Sequence, residues 1–199
     1  YTGPTSSGCG TLIVDSLTNA GLPSALGAAP SAAPSLLLLG PGTLRYTGPA
    51  TSTDRGYTVA AGPSRAAVLR AEGDITFRGQ VTASSGGFIK TGPGTVSCTY
   101  PGPNILGNAA GDRPWALQNM GPNGDSPTDG WSGFSINQGT VIVGVPGQTD
   151  TVSSGGRLLI GLCTTTNANA ETAGELILND GALLVPSSTI GIGCNNGTT

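Results

Sequence analysis

GGFIKTGPGTVSCTYPG, residues 86–102, decides how this chain is read. It is rich in glycine and holds a few isolated apolar residues, Phe88, Ile89, Val96 and Tyr100. They are not scattered through a polar tract. Gly92-Pro93-Gly94 separates two short runs, 88–91 and 95–100. Short apolar runs bounded by glycine and proline are strand signals, and the Gly-Pro-Gly between them is a turn signal. The stretch predicts strand, sharp corner, strand.

The same grammar recurs along the chain. A glycine, a polar or small residue and then Leu or Val open a run at Gly10-Thr11-Leu12, Gly42-Thr43-Leu44, Gly94-Thr95-Val96 and Gly139-Thr140-Val141. Looser copies stand at Gly156-Arg157-Leu158 and Gly174-Glu175-Leu176. Alternation follows in Leu12/Val14, Leu44/Tyr46, Val141/Val143, Leu158/Ile160 and Leu176/Leu178. Period two with one buried face means short strands. Residues 20–34 are alanine-rich, but Pro23, Pro30 and Pro34 limit any helix there to a turn or two.

The glycines of these units lie 32, 52, 45, 17 and 18 residues apart, settling near 18. A hairpin meander places turns every 8 to 12 residues. Longer repeats with glycine corners fit a solenoid, whose coils stack equivalent strands in parallel about 4.8 Å apart. The fold expected is therefore all-β, a β-solenoid of stacked parallel strands over 1–199. A β-sandwich with glycine-rich turns is the competing reading.

Composition bounds the rest. Of 199 residues, 10% are charged, against roughly 25% in ordinary soluble proteins. Mean hydropathy is +0.06, too apolar for a disordered chain. A net charge of −3, a pI near 4.6 and eight dispersed basic residues make no stripe for a phosphate backbone, which argues against nucleic acid. No apolar run approaches the ~18 residues of a membrane-spanning helix. The chain begins at Tyr1 without methionine, as a processed product or a piece of something longer would.

Four cysteines, Cys9, Cys98, Cys163 and Cys194, form no C-x-x-C pair, and there is no histidine. The usual zinc and haem sites are thereby disfavoured, and no cofactor is expected. Cys163 follows LLIGL and Cys194 follows TIGIG, similar points of two local repeats. Adjacent coils bring such positions within disulfide reach, so a Cys163–Cys194 bridge is expected, and beside it a Cys9–Cys98 bridge.

Phe88-Ile89-Lys90-Thr91-Gly92-Pro93-Gly94-Thr95-Val96 resembles the GGLTKTGAGTLTLSG motif of autotransporter-associated β-strand repeats. Phe134-Ser135-Ile136-Asn137-Gln138-Gly139-Thr140-Val141 is similar to the motif's second half, with residues 101–133 inserted between. GTLRYTGPATSTDRGYTV (42–59), residues 10–44 and GELILNDGALLV (174–185) resemble further family segments. The resemblance implies a right-handed parallel β-helix with one long inserted loop at 101–133, and a role as stalk, adhesin or surface fibre of a bacterium, extracellular and non-catalytic. No part resembles the export barrel.

Enzymes built on β-helices need clustered carboxylates, or a carboxylate–calcium–arginine arrangement, on one face. The nearest pairs here are Glu72/Asp74, at a corner, and Asp125/Asp129, among turn residues of the insertion. No nucleophile elbow, P-loop or metal spacing occurs. Asp54-Arg55 reads as a salt-bridged or backbone-capping pair that fixes a corner, rather than a ligand contact. A binding reading has content in the insertion, where Trp115 and Trp131 stand with Arg113, Asp125 and Asp129 and could stack on surface glycans. The competing reading packs both indoles down on the coil. Neither end carries a polar capping repeat, so the expected partners are copies of the chain or further coils, end to end.

Overall fold

The computed structural model describes residues 1–30, 37–39, 42–61, 66–101, 104–107, 133–136, 138–146, 150–154, 157–160, 174–179, 181–184 and 190–192. Among them there are nineteen strands and no helix. Residues 20–30 form turns and irregular backbone, as the prolines dictate.

The strands fall into parallel sheets. The first holds β1 (Thr5–Ser7), β3 (Leu37–Leu39), β6 (Tyr57–Ala60) and β9 (Val81–Ser85). The second holds β2 (Thr11–Val14), β4 (Thr43–Tyr46), β7 (Ala66–Ala71), β10 (Gly87–Thr91), β13 (Gly133–Ile136), β16 (Arg157–Ile160) and β19 (Ile190–Ile192). The third holds β5 (Thr51–Thr53), β8 (Ile75–Phe77), β11 (Val96–Cys98), β14 (Gly139–Val143) and β17 (Gly174–Leu178). The fourth holds β12 (Asn104–Gly107), β15 (Asp150–Ser154) and β18 (Gly181–Leu184). β12 packs beside β9, and the Asn104 Oδ1 accepts from the Val81 N–H at 3.3 Å, so the fourth sheet continues the first.

From β3 to β16 every strand except β9 pairs with the one three places later in the chain, and β9 instead lies beside β12. One turn of chain thus contributes one strand to each of three sheets, an order consistent with a β-helix or solenoid. β12 lies at the start of the 101–133 segment, and Gly133 already opens β13.

The Gly-x-Leu units are real corners, but they belong to two different sheets. Leu12 pairs with Leu44 in the second sheet, and Leu158 lies further along it. Val96 pairs with Val141, and Val141 with Leu176, in the third. The spacing near 18 between Gly139, Gly156 and Gly174 therefore steps from sheet to sheet and is about half a turn of chain. Register partners are 35 residues apart from Val141 to Leu176 and 21 apart from Ile75 to Val96. The corner read at Glu72/Asp74 is of the same kind: Gly73-Asp74-Ile75 carries isoleucine where the other units have Leu or Val, and Ile75 pairs with Val96.

The core follows from alternation. Leu44, Leu69 and Ile136 form one inward ladder in the second sheet, with Val14, Tyr46 and Ala71 beside it. Ile75, Val96 and Val141, and Phe77, Cys98 and Val143, do the same in the third. Volumes compensate between neighbours, for instance Ala67 against Phe88. Three aromatic rings tie the sheets together. Tyr57 of the first meets Phe77 of the third edge-on at 5.0 Å, and Phe88 of the second at 5.5 Å.

The corner between the second and third sheets stacks glycine on glycine. A Cβ on Gly73 would intrude on the Gly48 carbonyl, and one on Gly94 on the Gly73 carbonyl. Both obstacles are backbone and cannot swing away. Gly94→Ala is expected to cost about 1–3 kcal/mol in a urea melt. A loss below a few tenths would show that the turns of chain do not approach so closely there.

Candidate functional site

Two polar nodes are built into the coil walls. Arg55 follows β5 and is buried, although arginine is rarely so. Its Nε donates to the Thr18 carbonyl at 2.9 Å, and its Nη2 donates to the carbonyls of Gly27 at 2.8 Å and Leu22 at 3.4 Å. Burial lowers its pKa, and the charge of Asp54 opposes the shift. Asp54 Oδ1 accepts from the Ala20 N–H at 2.7 Å, while the Asp54 N–H donates to Asn19 Oδ1 at 3.0 Å. Asp54-Arg55 is therefore a backbone-capping pair that holds the 18–27 loop.

That loop alters the expectation of an uncapped end. The Thr51 and Thr53 hydroxyls, on β5, donate to the Leu17 and Thr18 carbonyls at 2.9 Å each. Leu17 and Leu26 enter the core. The outer edge of the third sheet is thus covered by a segment bound through side chains, a signal invisible to a search for a polar repeat.

The second node is Lys90. Parity with Phe88 places it on the inward face of β10, between Leu69 and Ile136 in the ladder. Its Nζ donates to the Gly92 carbonyl at 2.6 Å and the Gln138 carbonyl at 2.9 Å. One ammonium therefore links two successive corners. Burial lowers its pKa to about 8, with Asp74 and Glu72 opposing. Period two from Phe88 is the sequence signal that marks this lysine as inward.

The sign of the pH effect follows. Below about pH 8 folded and unfolded chains are both charged, and the fold bears the full cost of burying the ammonium. Between about 8 and ~10.4, the ordinary lysine value, the folded chain sheds its proton first and the cost falls. Stability relative to Lys90→Met is expected to rise through this window in paired urea melts. Parallel pH profiles would show that Lys90 is hydrated.

The acidic residues do not assemble for catalysis within the described part. Glu72 sits between Arg70 Nε at 2.7 Å and Arg45 Nη2 at 3.2 Å, and although burial opposes it, these two guanidiniums hold its carboxyl below the usual range. Asp74 Oδ1 accepts from the Thr95 N–H at 2.7 Å, a corner contact. Among the described residues no three acidic or cysteine side chains converge as a metal cluster would need. The Cys9–Cys98 bridge is not formed: Cys9 is exposed, Cys98 is buried on β11, and both thiols are free. Cys9 precedes β2 in the first turn of chain and Cys98 ends β11 three turns on, so the two never stack as neighbours. Burial pushes the Cys98 thiol up to about 12, with Tyr57 beside it opposing. Cys163, Cys194, Trp115, Trp131, Arg113, Asp125 and Asp129 lie outside the described residues.

No family model matches the chain, and no solved structure matches it. Among curated proteins it is similar to the adhesin BmaC autotransporter of Brucella suis biovar 1 (strain 1330), with 45% identity over 97 residues. The match covers 48% of this chain and 3% of that protein, so the likeness is that of a short stretch to a very long adhesin of the autotransporter type.

Proposed function

We propose that these residues are a stretch of right-handed parallel β-helix in the surface-exposed part of a bacterial adhesin-type protein, with a structural, non-catalytic role as stalk or fibre. The observation that carries this is the parallel pairing of strands three places apart, unbroken from β4 to β19 in the seven-membered second sheet. A parallel crossover in one sheet is almost always right-handed, which supports that hand. Seven turns at about 4.8 Å rise make a rod of roughly 30 Å. Among the described residues, β17, β18 and β19 are edge strands on the side away from the 18–27 loop, suited to pairing with further coils of the same chain or with copies of it. The similarity to an autotransporter adhesin supports a place outside the cell.

Small-angle scattering and electron microscopy of the longer natural product test this. A rod whose length grows with coil number at constant cross-section is expected. A compact particle would sink the stalk reading. A glycan array showing binding that disappears on removal of 101–133 would replace it with a carbohydrate-binding role.

A further inference from the structure

The third sheet is one strand short at one end. The first turn of chain gives β1 to the first sheet and β2 to the second, whereas the third sheet starts at β5. The described residues that follow β2, 15–30, contain no strand. A bare strand edge offers unpaired backbone groups to any extended chain that meets it. The β5 edge is not bare.

One column of hydrogen bonds shows what replaces the missing strand. The residue just past each strand of this sheet donates its N–H to a carbonyl of the preceding coil. Asn179 donates to Val143 at 2.9 Å, Gly144 to Cys98 at 3.0 Å, Thr99 to Phe77 at 2.9 Å and Arg78 to Thr53 at 2.8 Å. Asp54, just past β5, holds the next place in the column. Its N–H donates to Asn19 Oδ1 at 3.0 Å, a side-chain oxygen standing where a strand carbonyl would be. In return the Ala20 N–H donates to Asp54 Oδ1 at 2.7 Å. Arg78 Nη2, one coil on, donates to the same Asn19 Oδ1 at 3.0 Å and so orients the amide.

We propose that the 18–27 loop is a built-in guard on the β5 edge. It occupies the place of a parallel strand and keeps strands of other coils or other copies from adding to the third sheet there. The inference rests on the stacked-coil reading and narrows it. A second copy that joined the β17 edge by its own first turn would meet the guard instead of β5, so that edge is suited to further coils of the same chain.

Amide hydrogen exchange resolved by residue tests the strand mimicry. Asn19→Leu removes the acceptor, and Asn19→Asp keeps one. The Asp54 N–H is expected to exchange roughly tenfold faster in Asn19→Leu, the effect of about one hydrogen bond, and near the native rate in Asn19→Asp. A labelled peptide of residues 73–79, which contains β8, the strand that β5 already pairs with on its other side, probes for a freed edge. It should leave the native protein alone and bind the double variant Asn19→Leu with Arg55→Met, where the guard has lost both its strand-like contact and its clamp. Should the double variant unfold, Asp54 exchange in Asn19→Leu decides the matter. Unchanged Asp54 exchange in that variant, peptide binding to the native protein, or no binding to a folded double variant would overturn the guard. Unprotected Thr99 and Gly144 amides in the native protein would instead remove the stacked-coil reading beneath it.

Discussion

Phe77→Ala is expected to destabilise the fold by about 3–5 kcal/mol, the range for emptying a buried phenylalanine site. Phe77 is wholly buried on β8, and its ring meets Tyr57 edge-on at 5.0 Å. Such a contact adds about 0.5–1.5 kcal/mol beyond area. Tyr57 in turn leans on Phe88, so the three rings couple strands of three sheets. The cavity would open where the walls meet, and the backbone of stacked strands cannot collapse into it without breaking register. A urea melt should show a lower midpoint with an unchanged slope. Phe77→Leu should cost less, because much of the volume remains. A loss under about 1 kcal/mol for the alanine variant would mean that the sheets do not enclose a common packed interior.

Arg55→Met is expected to cost about 3 kcal/mol, from two well-made carbonyl contacts, to Thr18 at 2.9 Å and Gly27 at 2.8 Å, left without their donor at roughly 1–3 kcal/mol each. Methionine keeps much of the apolar volume, so the loss isolates the hydrogen bonds. Its second signature is local: limited proteolysis should open the chain between residues 18 and 27 before the later coils are touched. Arg55→Lys should recover little, since one ammonium does not reproduce the planar fan that reaches Thr18, Leu22 and Gly27. A protease pattern unchanged in Arg55→Met would show that the loop is held by the Thr51 and Thr53 hydroxyls alone.

Strands and corners were legible in the sequence because both are local. Alternation of Leu44 with Tyr46, or Val141 with Val143, needs only the period of an extended chain. Gly92-Pro93-Gly94 announces its turn through backbone preference alone. The resemblance in residues 88–96 and 134–141 points to stacked parallel coils, and the register of Phe88 on Phe134 and Val96 on Val141 agrees with stacking. Tertiary structure decided what depends on partners distant in sequence. It assigned Gly10-Thr11-Leu12 and Gly94-Thr95-Val96 to different sheets, since units alike in sequence carry no mark of the wall they join. It made Lys90 a core residue, because the carbonyls of Gly92 and Gln138 meet only when one coil lies on the next. It turned Arg55 into a clamp on carbonyls 28 to 37 residues away, and it dried the outward side chains of Val68 and Ile89. Period two tells that two faces differ. Which of them water reaches is set by whatever else the fold lays against them.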